Sequence, residues 1–186
     1  MEETDEALMA AVAGGDASAL GALYDRYERP TFNLILRLAG RRDVAEELMQ
    51  EAFTRLWTTA RLFRGERGSF KPWLFTIALN LTRSELSRKR YRVRHLEPEA
   101  AEELPALTEG PEALAVRAQE KGRVEAALAR LSPLLREIVV LRMYQQLKFA
   151  EIARLTGAPE GTLKARFHRA VAELRVLLGV EETPCA

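Results

Sequence analysis

Two helical patterns separated by a short turn occupy the segment from Phe149 to Leu178, and they constrain the fold more than any other part of the sequence. Gly157 is suited to ending the first helix, because glycine adopts the left-handed conformation of a C-terminal cap without steric cost. Pro159 and Glu160 favour the start of the second helix. Apolar residues then recur at steps of three and four, which places them on one helix face; they are Leu163, Phe167, Val171, Leu174 and Leu178.

The polar side of this second helix is basic. Lys164, His168, Arg169 and Arg175 lie largely off the apolar stripe. A short helix packed across a longer basic helix is the geometry of a helix-turn-helix, whose second helix enters the major groove of DNA. A helical hairpin with a solvated charged face has the same periodicity. The pattern alone therefore leaves both interpretations open.

Helical patterns continue through the rest of the chain, whereas strand patterns are missing. No stretch shows sustained alternation of apolar and polar residues or a hairpin dipeptide. The periodicity predicts helices at about 4–13, 17–39, 43–63, 70–93, 117–130, 133–145, 149–156 and 160–178. The expected fold class is therefore all-α.

Two of these predicted helices begin with local signals. Asp43 followed by Glu46 resembles a capping box, and Ser132 before Pro133 combines an N-cap residue with a first-turn proline. The helix that begins near Asp43 has one continuous apolar stripe, which we expect to be core. The stripe consists of Ala45, Leu48, Met49, Ala52, Phe53, Leu56 and Trp57, and it leaves Glu47, Gln50, Glu51 and Thr54 facing outward.

Charge is strongly segregated along the chain, although the net charge is only +1. Residues 83–95 contain six Lys or Arg against Glu85, and residues 97–112 contain six Glu with no Lys or Arg. The acidic stretch also holds prolines and few large apolar groups, which is typical of a flexible linker. We therefore expect two small helical domains joined by a flexible acidic linker. The predicted boundaries are 1–95, 96–116 and 117–180, followed by a tail at 181–186.

A second cluster of aromatic and basic residues precedes the linker. Aromatic rings can stack on unpaired bases, and arginines can contact phosphates or stack on rings. The cluster contains Arg64, Arg67, Phe70, Trp73, Phe75, Asn80 and Arg83. Because Trp73, Ile77 and Leu81 are spaced by four, a core role is the alternative. We expect Ile77 and Leu81 to be core, and the sequence leaves Trp73 and Phe75 open.

Several function classes find no support in the sequence. Cys185 is the only cysteine, so an internal disulfide and a cysteine metal site are excluded. His95 and His168 belong to different predicted domains, no phosphate-binding loop is present, and no cluster suggests a catalytic or cofactor site. The apolar windows are too short to span a bilayer. We expect a cytoplasmic protein that is not an enzyme and needs no metal or cofactor.

Three segments, in this order, resemble the sigma factors of the sigma-70 family, specifically their small extracytoplasmic-function (ECF) group. AEELMQEAFTRLW (45–57) resembles the helix that binds core RNA polymerase. FRGERGSFKPWLFTIALNLTRSELSRKRYR (63–92) resembles the region that melts the promoter and reads the −10 element. FAEIARLTGAPEGTLKARFHRA (149–170) resembles the helix-turn-helix that reads the −35 element. The three segments together are highly specific for this family.

The resemblance implies a promoter-directing subunit of RNA polymerase, with sigma regions 2 and 4 in the two predicted domains. It implies polymerase binding by Glu47, Gln50 and Glu51. It implies duplex −35 contacts by Lys164, Ala165, Arg166, His168 and Arg169. Capture of the single-stranded −10 element would involve Arg64, Arg67, Phe70, Trp73, Asn80 and Arg83. The implied partners are core polymerase, promoter DNA and an anti-sigma factor.

Two positions in the second helix depart from the pattern common in the family. Ala165 stands where a serine often occurs and Leu163 where valine is common, so promoter preference is expected to differ. The main alternative function is a helix-turn-helix regulator that binds DNA without polymerase, which leaves the first two segments unexplained. The acidic linker either threads the polymerase's basic cleft and RNA exit channel, as the resemblance implies, or is a solvated tether.

Overall fold

The computed structural model describes residues 3–63, 69–95 and 113–180, and within these ranges the regular elements are all helical. Four helices precede the gap at 96–112: α1 (Asp5–Ala13), α2 (Ala17–Ala39), α3 (Arg42–Thr59), which continues as a short 3-10 turn (Ala60–Leu62), and α4 (Phe70–His95). Four follow it: α5 (Ala113–Arg130), α6 (Pro133–Val139), α7 (Phe149–Thr156) and α8 (Glu160–Leu178). The predicted all-α fold is confirmed.

The glycine and proline signals of the helix-turn-helix act as predicted. Gly157 ends α7 with φ +74°, and its N–H donates to the Ala153 carbonyl at 2.8 Å. Pro159 is the N-cap residue of α8, which begins at Glu160. The turn between the two helices is therefore encoded locally, by one residue that tolerates the left-handed conformation and one that favours a helix start.

The start of α3 differs from the prediction. The helix begins at Arg42 with Arg41 as its N-cap, and no side chain caps it. Asp43 instead accepts hydrogen bonds from the Arg41 guanidinium. These bonds are the main reason that the pKa of the Asp43 carboxyl is lowered to about 2. The capping-box interpretation was wrong because Asp43 lies inside the first turn, two residues after the N-cap position.

The linker prediction falls largely outside the described residues. Its last four positions, 113–116, belong to α5, which begins before the predicted 117. Those positions are Ala-Leu-Ala-Val, a run without proline or glycine, the two residues that most disfavour a helix.

Helices α1 to α4 enclose one part of the apolar core. Helix α2 packs against α1, α3 and α4, and α3 packs against α4. The fully buried side chains include Leu23, Leu34, Ile35, Leu56 and Phe75. Leu81 is also buried and Ile77 is partly buried against the core, as predicted. Trp57 is different, because 38% of its surface is exposed, so its predicted place in the core stripe was wrong.

Helices α5 to α8 form a second group around α8. Helix α8 packs against α5, α6 and α7. The C-terminal end of α6 widens into a π turn (Val140–Tyr144), in which Gln145 N–H donates to the Val140 carbonyl at 3.1 Å. Gln146 follows with φ +57°, an uncommon conformation for a residue other than glycine. This irregular turn redirects the chain from α6 into α7.

The two groups also pack against each other. Helix α4 contacts α7, and α2 contacts α5, α6 and the π turn. The buried apolar residues of both groups form one continuous cluster. Among the described residues, none of the helices combines the length and the apolar character that crossing a membrane requires.

We predict that adjacent positions on α3 differ sharply in their effect on stability. Leu56→Ala should destabilise the protein by about 2–5 kcal/mol, because it removes a fully buried side chain and leaves a cavity. Trp57→Ala should change the free energy of unfolding by roughly 1 kcal/mol or less, because Trp57 is partly exposed. Urea denaturation followed by circular dichroism measures both, and equal losses would contradict the burial pattern.

Candidate nucleic-acid interface

Helix α8 presents its basic side to solvent. Leu163 and Ala170 are buried at 2% and 0% exposure and attach the helix to its neighbours. Phe167 packs edge-on against Phe149 of α7, with ring centroids 5.8 Å apart. Of the positions that the resemblance assigns to the −35 element, Lys164, Ala165, His168 and Arg169 are exposed and Arg166 is half-buried. These five positions lie on a helix whose orientation is set by its packing.

Two of the exposed cations on α8 have acidic neighbours on the same helix. Arg169 Nε lies 3.0 Å from Glu173 Oε1, and Lys164 Nζ lies 4.0 Å from Glu160 Oε2. Exposed pairs of this kind contribute only about 0.3–0.5 kcal/mol. The acidic partners therefore orient the cations at little cost, and a phosphate or base edge can displace them.

The aromatic rings in the N-terminal half of α4 differ in how deeply they are buried. Phe70 is completely buried and packs edge-on against Tyr27, with centroids 5.0 Å apart. In this arrangement the ring is a core group and offers no face to a base, which corrects its assignment as a stacking residue. Trp73 is half-buried, with its ring 5.3 Å from that of Phe63. Trp73 therefore belongs partly to the core and partly to the surface.

The remaining positions assigned to the −10 element lie in different surroundings. Asn80 is exposed on α4. Arg64 and Arg67 lie outside the described residues. Arg83 is held by Glu137 of α6, with Nε 2.9 Å from Oε2 and Nη2 2.6 Å from Oε1. No sequence pattern predicts that Arg83 pairs with an acidic residue of the other helical group.

Helix α3 has a polar outer face of its own. Glu47 and Gln50 are exposed, and the half-buried Glu51 accepts a hydrogen bond of 2.7 Å from Arg55. The exposed side chain of Trp57 extends this face. The sequence pattern had assigned this residue to the core. Trp57 lies seven residues after Gln50, which is two helical turns, and that spacing could have revealed its position.

The charged residues of the described ranges do not gather into a metal site. No group of three or more His, Cys, Asp or Glu side chains is arranged to hold an ion there. The surfaces described above offer hydrogen-bond donors, charges of both signs and the partly exposed rings of Trp57 and Trp73. This chemistry suits binding to a polyanion and to a protein partner.

Comparison with known families gives two matches in chain order. The family model described as Sigma-70 region 2 matches residues 23–92, and that described as Sigma-70, region 4 matches residues 121–174. The first match covers most of α2 together with α3 and most of α4. The second covers most of the group formed by α5 to α8.

Curated relatives carry the same family name. The ECF RNA polymerase sigma factor SigE of Mycolicibacterium smegmatis is 31% identical over 100% of this chain and 74% of its own length. The ECF RNA polymerase sigma factor BldN of Streptomyces coelicolor is 35% identical over 88% of this chain, which spans only 62% of BldN. SigK of Mycobacterium tuberculosis is 28% identical over 94% of both chains.

Solved structures share the fold. The sigma factor RpoE from Bartonella quintana, in complex with the anti-sigma factor NepR, superposes with a TM-score of 0.71 at 24% identity, over 87% of this chain and 98% of that one. CnrH, in complex with the cytosolic domain of CnrY, also gives 0.71 at 24% identity, over 97% and 100%. The chain belongs to the ECF sigma factors of the sigma-70 family, as the sequence motifs predicted.

We predict that the exposed cations of α8 contribute to −35 binding. Arg169→Ala or Lys164→Ala should each weaken binding to a −35 duplex by about 1–3 kcal/mol where the side chain contacts a base. Arg130→Ala is the matched control, because it removes one exposed positive charge from α5 of the same helical group. Fluorescence anisotropy with a labelled duplex measures the affinities. Equal effects of all three variants would mean that another side of α8 faces the groove.

Proposed function

We propose that this chain brings core RNA polymerase to specific promoters through three separate surfaces. Helix α3 binds the polymerase, α8 reads the −35 element as duplex, and α4 with the residues before it captures the −10 element as a single strand. The observation that carries the proposal is the family match on both helical groups, combined with exposed polar faces on α3 and α8. A regulator that acts on DNA alone has no use for the α3 face.

The polymerase surface proposed here is centred on Glu47, Gln50 and Glu51, with Trp57 as an additional apolar contact. Exposed tryptophan is enriched in protein interfaces because its large ring is buried on association. The surrounding carboxylates would favour a basic partner surface and speed the encounter with it. This face therefore combines an apolar anchor with charges that orient the partner.

The proposed strand capture relies on binding energy and needs no nucleotide hydrolysis. Extruding a base costs a few kcal/mol, and stacking on an aromatic side chain returns about 1–3 kcal/mol per base. Among the described residues, three groups could hold an open strand: the exposed part of Trp73, the amide of Asn80 and the guanidinium of Arg83. Phe70 supports them from the core.

We also propose an anti-sigma factor as partner and the cytoplasm as the site of action. Two relatives of the same fold are each seen in complex with a partner, RpoE with the anti-sigma factor NepR and CnrH with the cytosolic domain of CnrY. The cytoplasmic location follows from the proposed association with polymerase and DNA.

The function is tested by run-off transcription with core polymerase and a genomic fragment library. We expect transcripts that start at defined positions and depend on the added protein. Binding to specific DNA without any such transcript would instead support a regulator that acts alone.

The polymerase surface gives a second prediction. Replacing both Glu47 and Gln50 with Ala should reduce binding to core polymerase by about tenfold or more while −35 duplex binding is unchanged, since interfaces depend on a few central residues. Asp25→Ala is the control, because it removes an exposed acid from α2. Pull-down with core polymerase and anisotropy with duplex DNA separate the two activities, and parallel loss of both would indicate misfolding.

Strand opening gives a third prediction. Trp73→Ala combined with Asn80→Ala should reduce open-complex formation on a duplex promoter more than on a template already mismatched across the −10 region. The mismatched template supplies the unpairing energy that the protein otherwise provides. Permanganate reactivity of unpaired thymines measures opening on both templates, and equal loss on both would place the defect in folding or polymerase binding.

A further inference from the structure

The two helical groups meet at an interface, called here the seam, in which side chains of α5 to α8 and the π turn contact α2 and α4. It includes the ion pair of Arg83 on α4 and Glu137 on α6. Two parallel hydrogen bonds of 2.9 and 2.6 Å join the guanidinium to the carboxylate. The Glu137 side chain is only 12% exposed, whereas that of Arg83 is 38% exposed. This two-point geometry is the one that arginine also uses to bind phosphate.

A buried glutamine adds two further contacts across the seam. The side chain of Gln145, whose residue is 4% exposed, donates from Nε2 to the Pro30 carbonyl of α2 at 3.1 Å. The Gln145 carbonyl accepts a hydrogen bond of 2.8 Å from Lys71 Nζ on α4. Burial lowers the pKa of the Lys71 ammonium, and the nearby Glu151 of α7 opposes that shift. One residue of the second group thus joins both α2 and α4.

Two arginines complete the seam at the end of α2. Arg136 Nη1 on α6 donates to the Leu38 carbonyl at 3.3 Å. The Arg37 guanidinium lies 4.1 Å from the centre of the exposed Tyr144 ring, a cation–π distance. The seam therefore depends strongly on charge, in addition to the apolar cluster that runs through both groups.

The seam covers the proposed functional surfaces unequally. It engages Arg83, which belongs to the proposed −10 surface. Lys164, His168 and Arg169 remain exposed on α8, and Glu47 and Gln50 remain exposed on α3. The arrangement therefore leaves the −35 and polymerase surfaces accessible while it occupies a group proposed to bind the open strand.

We propose that the seam is an autoinhibitory contact in which the Glu137 carboxylate takes the place of a DNA phosphate on Arg83. This inference rests on the proposed role of α4 in −10 capture. In the closed arrangement the chain binds −35 duplex through α8 and polymerase through α3. It binds the −10 strand only after the seam opens and Arg83 is released. Strand capture is thereby restricted to conditions that separate the two groups.

The closed arrangement is tested first on the free protein. Glu137→Gln removes the charge that holds Arg83 but keeps the side-chain size. We expect an increased radius of gyration in small-angle X-ray scattering, and a larger increase as salt is raised, because salt screens the remaining charged contacts. Glu46→Gln is the matched control, since Glu46 forms an ion pair of 2.8 Å with Arg42 within α3. A radius unchanged from wild type in the Glu137 variant would overturn the proposal.

A charge exchange separates loss of the pair from loss of folding. Glu137→Arg alone should open the seam by repulsion, and adding Arg83→Glu should restore the compact radius. Circular dichroism checks that the helical content is unchanged. Failure of the double variant to regain compactness, while its helices stay intact, would show that the pair does not hold the groups together.

The inhibitory role is tested with DNA. Glu137→Gln should bind a promoter fragment mismatched across the −10 region about two- to fivefold more tightly than wild type, the range expected when one partly exposed charged pair is lost. Its affinity for a −35 duplex should be unchanged. Equal gains on both fragments would indicate a general charge effect and would contradict the proposal.

A locked chain provides the converse test. Arg37→Cys and Tyr144→Cys, in a Cys185→Ser background, place two thiols across the seam for a short bismaleimide cross-linker. The cross-linked protein should retain −35 duplex binding and lose binding to the mismatched fragment. Full binding by the locked chain would overturn autoinhibition. If the unlocked chain binds both fragments and still supports no transcription with core polymerase, the proposed function fails. The scattering results would still show whether the two groups form a closed arrangement.

Discussion

The structure depends on burial of the apolar faces that surround α2. This helix packs against α1, α3 and α4 of its own group and against α5, α6 and the π turn of the other group. Leu23, Leu34 and Ile35 are completely buried along its length. Short amphipathic helices gain most of their stability from such packing and little from their own propensity. The central position of α2 therefore orients both groups, and through them the surfaces on α3, α4 and α8.

The polar contacts of the seam differ in kind from this apolar packing. Arg83, Gln145 and Arg136 reach carboxylate or carbonyl oxygens of the opposite group. Hydrogen bonds of this type exchange with water or with phosphate at modest net cost, because each partner can be satisfied elsewhere. The polar part of the seam is thus suited to exchange its partners, while the apolar cluster also continues across it. Such an interface is compatible with the proposed binding of two promoter elements.

The three proposed surfaces were predictable from the sequence to different degrees. The face of α8 follows from spacing within a single helix, since Leu163 and Phe167 alternate with Lys164 and His168 in a way that any amphipathic helix would show. The −10 surface was predicted less well. Residue type identified Trp73 and Phe70 as stacking candidates, but type does not tell which ring other helices cover. Phe70 is buried by Tyr27 and Phe63, whereas Trp73 keeps an exposed part.

Local order was encoded in the sequence, from the all-α class and the approximate extent of each helix to the turn at Gly157. Helix periodicity, caps and turns involve residues within about four positions of one another, so a linear pattern records them. Only the tertiary structure decided that Phe70 is buried and that Arg83 pairs with Glu137. The last two residues are 54 positions apart, and their contact depends on how two separately encoded groups pack. No local spacing carries that information, because burial and long-range pairing are properties of the surface that each helix meets.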